Sequence, residues 1–168
     1  MTILSSNNVR FTVSIPNKYN ASQREEIAYR IIEQIKRRTR SGVSLTGRAF
    51  KYVKGSEHRG HNLEETGDML TAIDIISTST GSITIGYPDT TSLEANKAEA
   101  MMIGTYGSRT PDPNKTKKFL GIQDKELKLI LAEFDSDFPQ ESGILEEQES
   151  AVNRILKGLL GFTTDEDA

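Results

Sequence analysis

His58 and His61 stand three apart beside Glu57, a spacing at which two imidazoles and a carboxylate can begin a metal site. No third ligand follows at a supporting distance, and glycines at 55 and 60 frame the stretch, so a solvated loop is the reading of this segment. The acidic pairs Glu25-Glu26, Glu64-Glu65 and Glu146-Glu147 are adjacent in sequence on surface positions. Acid/base work needs two carboxyl groups in environments that drive their pKa values apart, and nothing in these pairs predicts that. There is no cysteine, which removes disulfides, thiolate metal sites and cysteine nucleophiles. No phosphate-cradling glycine loop ending in Gly-Lys-Ser/Thr, dinucleotide fingerprint or serine elbow can be assembled. The expectation is a protein that is not an enzyme and carries no cofactor and no metal.

What remains is charge. Residues 18–61 carry eleven Lys/Arg against four Glu, whereas residues 124–168 carry twelve Asp/Glu against four Lys/Arg, behind a formal net charge of only −3. Such a split suits either solvated helix faces or head-to-tail contact between copies of the chain. The densest run, Lys36-Arg37-Arg38-Thr39-Arg40, precedes Ser41-Gly42 and so falls where cations oppose the negative end of a helix dipole. Arg37, Arg38, Arg40, Arg48 and Lys51 together make a candidate basic face for phosphate. Arg109, Lys115, Lys117 and Lys118 make a second group, in a fifteen-residue stretch from 104 to 118 that reads as a contact loop.

These charges need elements to hold them. Residues 9–15 alternate Val9, Phe11, Val13 and Ile15 with polar neighbours, a half-buried strand closed by Pro16. Ser22 with Glu25 reads as a capping box opening a helix to residue 40, its core stripe Ile27, Ile31, Ile32 and Ile35. Residues 42–62 are expected to be irregular. Thr66 reads as the cap of a short helix carrying Met69, Leu70 and Ile73, followed by strands over 73–79 and 82–87 around a Thr80-Gly81 turn. A helix over 92–103, capped by Thr91 with Glu94, presents Ala95, Ala98 and Met102 and ends at Gly104. From Asp124, the positions Leu127, Ile130, Leu131 and Phe134 define a further amphipathic helix.

After Pro139, Leu145, Val152 and Leu159 recur every seven residues with Ile155 at the second seam position. So short a seam needs a partner surface, its own domain or a neighbouring subunit. The fold expected is α+β: a small antiparallel sheet packed by amphipathic helices in residues 1–138, with a C-terminal helical extension and acidic tail in 139–168. The start of the chain has no charged leader followed by an apolar run, and no segment has the roughly 18 apolar residues of a membrane span. A soluble protein made inside the cell, with no membrane partner, is expected.

Three blocks in order carry a resemblance. Thr46-Gly47-Arg48-Ala49-Phe50-Lys51-Tyr52, Glu65-Thr66-Gly67-Asp68-Met69-Leu70-Thr71-Ala72-Ile73 and Lys118-Phe119-Leu120-Gly121-Ile122-Gln123-Asp124 resemble the phage virion morphogenesis family, the tail-completion and head-to-tail joining proteins of tailed bacteriophages. The resemblance covers about residues 27–130, with Ala49 and Glu65 standing where the family has Pro and Leu. It implies a virion structural component of the neck or connector, made in the bacterial cytoplasm. Such a component assembles as a six-fold or twelve-fold ring of itself against other neck, portal-side and tail-tube proteins, with incidental DNA contact. A tail-tube terminator and a DNA-contacting module are the alternatives. Phe50, Leu70, Phe119 and Leu120 are expected in the core, and Leu145, Val152, Ile155 and Leu159 are the candidate subunit interface.

Overall fold

The computed structural model describes residues 3–4, 9–50, 68–105, 110–113, 116–139 and 154–155. Its elements run β1 (Ile3–Leu4), β2 (Arg10–Ser14), α1 (Ala21–Arg40), α2 (Asp68–Thr71), β3 (Asp74–Ser79), β4 (Ser82–Gly86), α3 (Leu93–Ile103) and α4 (Asp124–Asp137). The protein has an α+β fold built on a four-stranded antiparallel sheet of order β1-β2-β4-β3. Contacts divide the chain into two units, Met1–Leu131 and Ala132–Ala168.

The two central strands follow from strict alternation. Phe11 stands opposite Ile85 and Val13 opposite Ile83, so one face of the pair is wholly apolar, and all four side chains are buried. The other face carries Thr12 and Thr84, whose hydroxyls meet at 2.9 Å. A sheet with one apolar and one polar face is covered on one side only. That cover is α1, which runs against β3 and β4 and buries Ile27, Ala28, Ile31, Ile32 and Ile35. Each buried isoleucine contributes about 1.5–3 kcal/mol relative to an exposed one. β3 is one of the two edge strands, and its register against β4 shifts between Ile75 and Ser77, leaving Ile76 as the extra residue of a bulge.

Helix starts differ from the sequence expectation in one respect. Asn20, not Ser22, caps α1: its side chain accepts from the Gln23 amide at 2.9 Å, and the Gln23 side chain accepts from the Asn20 amide at 2.9 Å. Two overlapping boxes were available, and the chain leaves the Tyr19 turn in extended conformation at Asn20, which makes that residue the cap. Likewise Ser92, not Thr91, caps α3, accepting from the Ala95 amide at 3.1 Å, while Thr91 bonds the Asp89 carboxylate. Gly104 ends α3 with φ +81°, the left-handed conformation expected of it.

Residues 42–50, expected to be irregular, form a small hairpin. Val43 bridges Ala49, the Ser44 amide donates to the Arg48 carbonyl at 2.7 Å, and the Phe50 amide donates to the Gly42 carbonyl at 2.9 Å. Of the anchors drawn from the three blocks, Phe50, Leu70, Phe119 and Leu120 are all buried. The Tyr87 hydroxyl, at the end of β4, donates to the Met69 carbonyl at 2.7 Å and ties α2 to the sheet. The Thr66 cap expected for α2 lies outside the described residues.

At Gly86 the backbone of β4 passes so close to β2 that an added Cβ would run into the Val9 carbonyl oxygen and lie 2.8 Å from the Arg10 Cα. Gly86→Ala is therefore expected to destabilise the protein by about 1–3 kcal/mol through forced backbone displacement. Urea unfolding would read this as a lower midpoint at unchanged slope.

Candidate functional site

The basic cluster at the end of α1 separates into two populations. Arg38, expected on the basic face, is 7% exposed and turns into the protein. Its Nη1 donates to the Glu126 carboxylate at 2.6 Å, and its Nη2 donates to the carbonyls of Phe119 at 2.7 Å and Gly121 at 3.0 Å. Burial pulls the guanidinium below its ordinary pKa, and the Glu126 carboxylate opposes that shift. Glu126 in turn accepts from the Gln34 side chain at 3.0 Å and from the Gln123 amide at 3.0 Å. One buried cation thus joins the end of α1, the 119–121 segment and the start of α4, and Arg38 is removed from the candidate basic face.

Arg37, Arg40 and Arg48 are exposed. They stand within one turn of helix and the following hairpin. The Arg37 guanidinium donates to Gln34, which itself reaches Glu126, so the exposed cation rests on the buried network. Lys51 lies outside the described residues. The two parts of the cluster have different tasks for a physical reason: at i and i+3, Arg37 and Arg40 share the outer face, while Arg38 falls on the inner stripe beside Ile31 and Ile35.

In the stretch from 104 to 118, the described residues are tied to the fold. The Asp112 amide donates to the Gly104 carbonyl at 3.2 Å, the Lys117 amide to the Met101 carbonyl at 2.7 Å, and the Leu45 amide to the Lys118 carbonyl at 2.7 Å. Backbone bonding at Lys117 and Lys118 thus joins α3 and the 42–50 hairpin, and Lys118 is exposed. Arg109 and Lys115 lie outside the described residues.

The C-terminal unit shows less. Phe134 and Phe138 stack at 4.9 Å with an interplanar angle of 28°. Arg154 and Ile155 are helical, and Ile155 is 62% exposed. Leu145, Val152 and Leu159 lie outside the described residues, as do His58 and His61.

Among the described residues no group of three His, Cys, Asp or Glu is placed to hold a metal. No described helix is long and apolar enough to cross a membrane. An open groove of about 310 Å³, unexpected from residue patterning, lies between α1 and β3, lined by Glu25, Tyr29, Asp74, Ile75 and Thr78. Glu25 and Tyr29 share a helix face at i and i+4, a visible pattern, but their approach to Asp74 depends on the packing of α1 over the edge strand. Comparison with known protein families, curated proteins and solved structures finds no match in any of the three.

The Arg38–Glu126 pair generates a double-mutant test. Arg38→Met or Glu126→Leu alone is expected to cost about 3–5 kcal/mol, because each strands a buried charge. The double variant is expected to lose much less than the sum of the two. Additive losses in urea unfolding would show that the pair does not act as a unit.

Proposed function

We propose that the chain is a structural component of a tailed-bacteriophage neck, which completes the tail and joins it to the head by assembling as a ring. The observation that carries the reading is the order and spacing of the three blocks at 46–52, 65–73 and 118–124. Their apolar anchors being buried supports treating the blocks as determinants of a fold rather than of a catalytic centre. The protein acts by symmetric contact, without turnover, cofactor or metal, and its place is the virion. Its partners are copies of itself in a hexameric or dodecameric ring, together with portal-side and tail-tube proteins.

In the mechanism proposed, basic surface on one subunit meets acidic surface on the next. The 104–118 loop contacts an adjoining ring from a base already bonded to α3 and to the 42–50 segment, and the seam of Leu145, Val152, Ile155 and Leu159 adds apolar contact. The exposure of Ile155 supports that last part. A tail-tube terminator, which stops polymerisation, differs mainly in its partner. The exposed trio Arg37, Arg40 and Arg48 favours, as a second reading, contact with duplex DNA.

Light scattering and negative-stain imaging, with the protein alone and then mixed with tail tubes, test the proposal. A ring, or a cap at the head-proximal tube end, is the expected result, and a persistent monomer that ignores tubes would overturn it. Replacing Val152 and Ile155 by Asp should abolish assembly while the monomer stays folded; an unfolded monomer would instead make that helix part of the core. Duplex-DNA affinity that falls steeply with salt would favour the second reading.

A further inference from the structure

The groove between α1 and β3 combines three features that suit one kind of occupant. Tyr29 is 48% exposed and offers an open aromatic ring. Glu25 and Asp74 are exposed carboxylates on opposite walls, one from the helix and one from the edge strand. Ile75 and Thr78 supply the remaining lining, both half-buried. A planar guanidinium stacks on an aromatic face and pairs with carboxylates in its own plane, which a compact ammonium does not do. The chain carries exposed guanidinium groups at the other end of the same helix, on Arg37 and Arg40, and on Arg48 of the adjoining hairpin.

The far end of α1 cannot reach the groove of its own subunit. α1 is continuous over Ala21–Arg40, and at 1.5 Å per residue Glu25 and Arg40 lie about 22 Å apart along its axis. We propose that the groove is the acceptor for the Arg37, Arg40 and Arg48 end of α1 from a second copy of this chain. The inference rests on the ring reading above and names the surface that would build the ring. The two patches differ, so the contact is heterologous: each subunit gives its basic end to one neighbour and its groove to the other. Exposed ion pairs are individually weak and screened by salt, so the pairwise contact is weak and ring closure supplies the avidity.

Charge exchange between preparations tests this. Glu25→Lys with Asp74→Lys makes one preparation whose groove and helix end are both basic; Arg37→Glu, Arg40→Glu and Arg48→Glu make another in which both are acidic. Each alone should remain monomeric where the unaltered chain assembles, and mixing the two should restore assembly in alternation. Circular dichroism checks that both are folded, and mixing rescue is a readout that a merely structural role would not give. Tyr29→Ala, at a half-exposed helix position, should weaken association about tenfold with the fold intact, and it decides the matter should the paired substitutions unfold.

Assembly that persists in either reversed preparation, or a mixture that stays dissociated, would overturn this contact and leave the ring reading standing. An unaltered chain that stays monomeric, with and without tail tubes, would overturn both.

Discussion

A single buried cation sets how this protein is put together. Arg38 sits in the last turn of α1, the helix that covers the sheet, and its guanidinium binds Glu126 together with the carbonyls of Phe119 and Gly121. Those carbonyls belong to a segment whose side chains, Phe119, Leu120 and Ile122, are themselves in the core. A buried carbonyl without a donor is costly, and a buried guanidinium without an acceptor is more so. The apolar segment and the arginine therefore need each other. The segment enters the core because its backbone is satisfied there, and the charge enters because the segment brings carbonyls and α4 brings a carboxylate.

This arrangement fixes more than stability. With Arg38 held inward, Arg37 and Arg40 are held outward on the same turn, since residues one apart on a helix are about 100° apart around its axis. Gln34 links the two sides, accepting from Arg37 and donating to Glu126. Arg37 is thus tied through Gln34 to the buried network, and a held charge loses less entropy on contact than a mobile one.

Much of the framework was legible in the sequence, because period-two and period-3.6 patterns report burial directly. Phe11 and Val13, Ile83 and Ile85, and the isoleucine stripe of α1 all lie where their spacing put them. The α1 cap shifted by two positions because Asn20 with Gln23 and Ser22 with Glu25 both satisfy the box pattern, and only the path of the chain decides between them. The hairpin at 42–50 was hidden by its glycines, which broke periodicity while allowing the turn. Arg38 was misread as surface for a different reason: its partner Glu126 is 88 residues away, and no local pattern marks a charge that will be neutralised at such separation. The groove was invisible on the same grounds, since only the packing of α1 on β3 brings its walls together.

The separation of charge along α1 bears on symmetry. If one patch on each subunit recognised the same patch on another, the pair would close with two-fold symmetry and no further copy would join. Here the exposed arginines and the groove with its two carboxylates occupy opposite ends of one helix. The contact proposed between these unlike patches would leave one of each unused on any pair, so that growth would continue until rotation closed a ring. In the ring proposed, weak individual contacts would suffice, because the final contact that closes a ring adds affinity without a further loss of translational freedom.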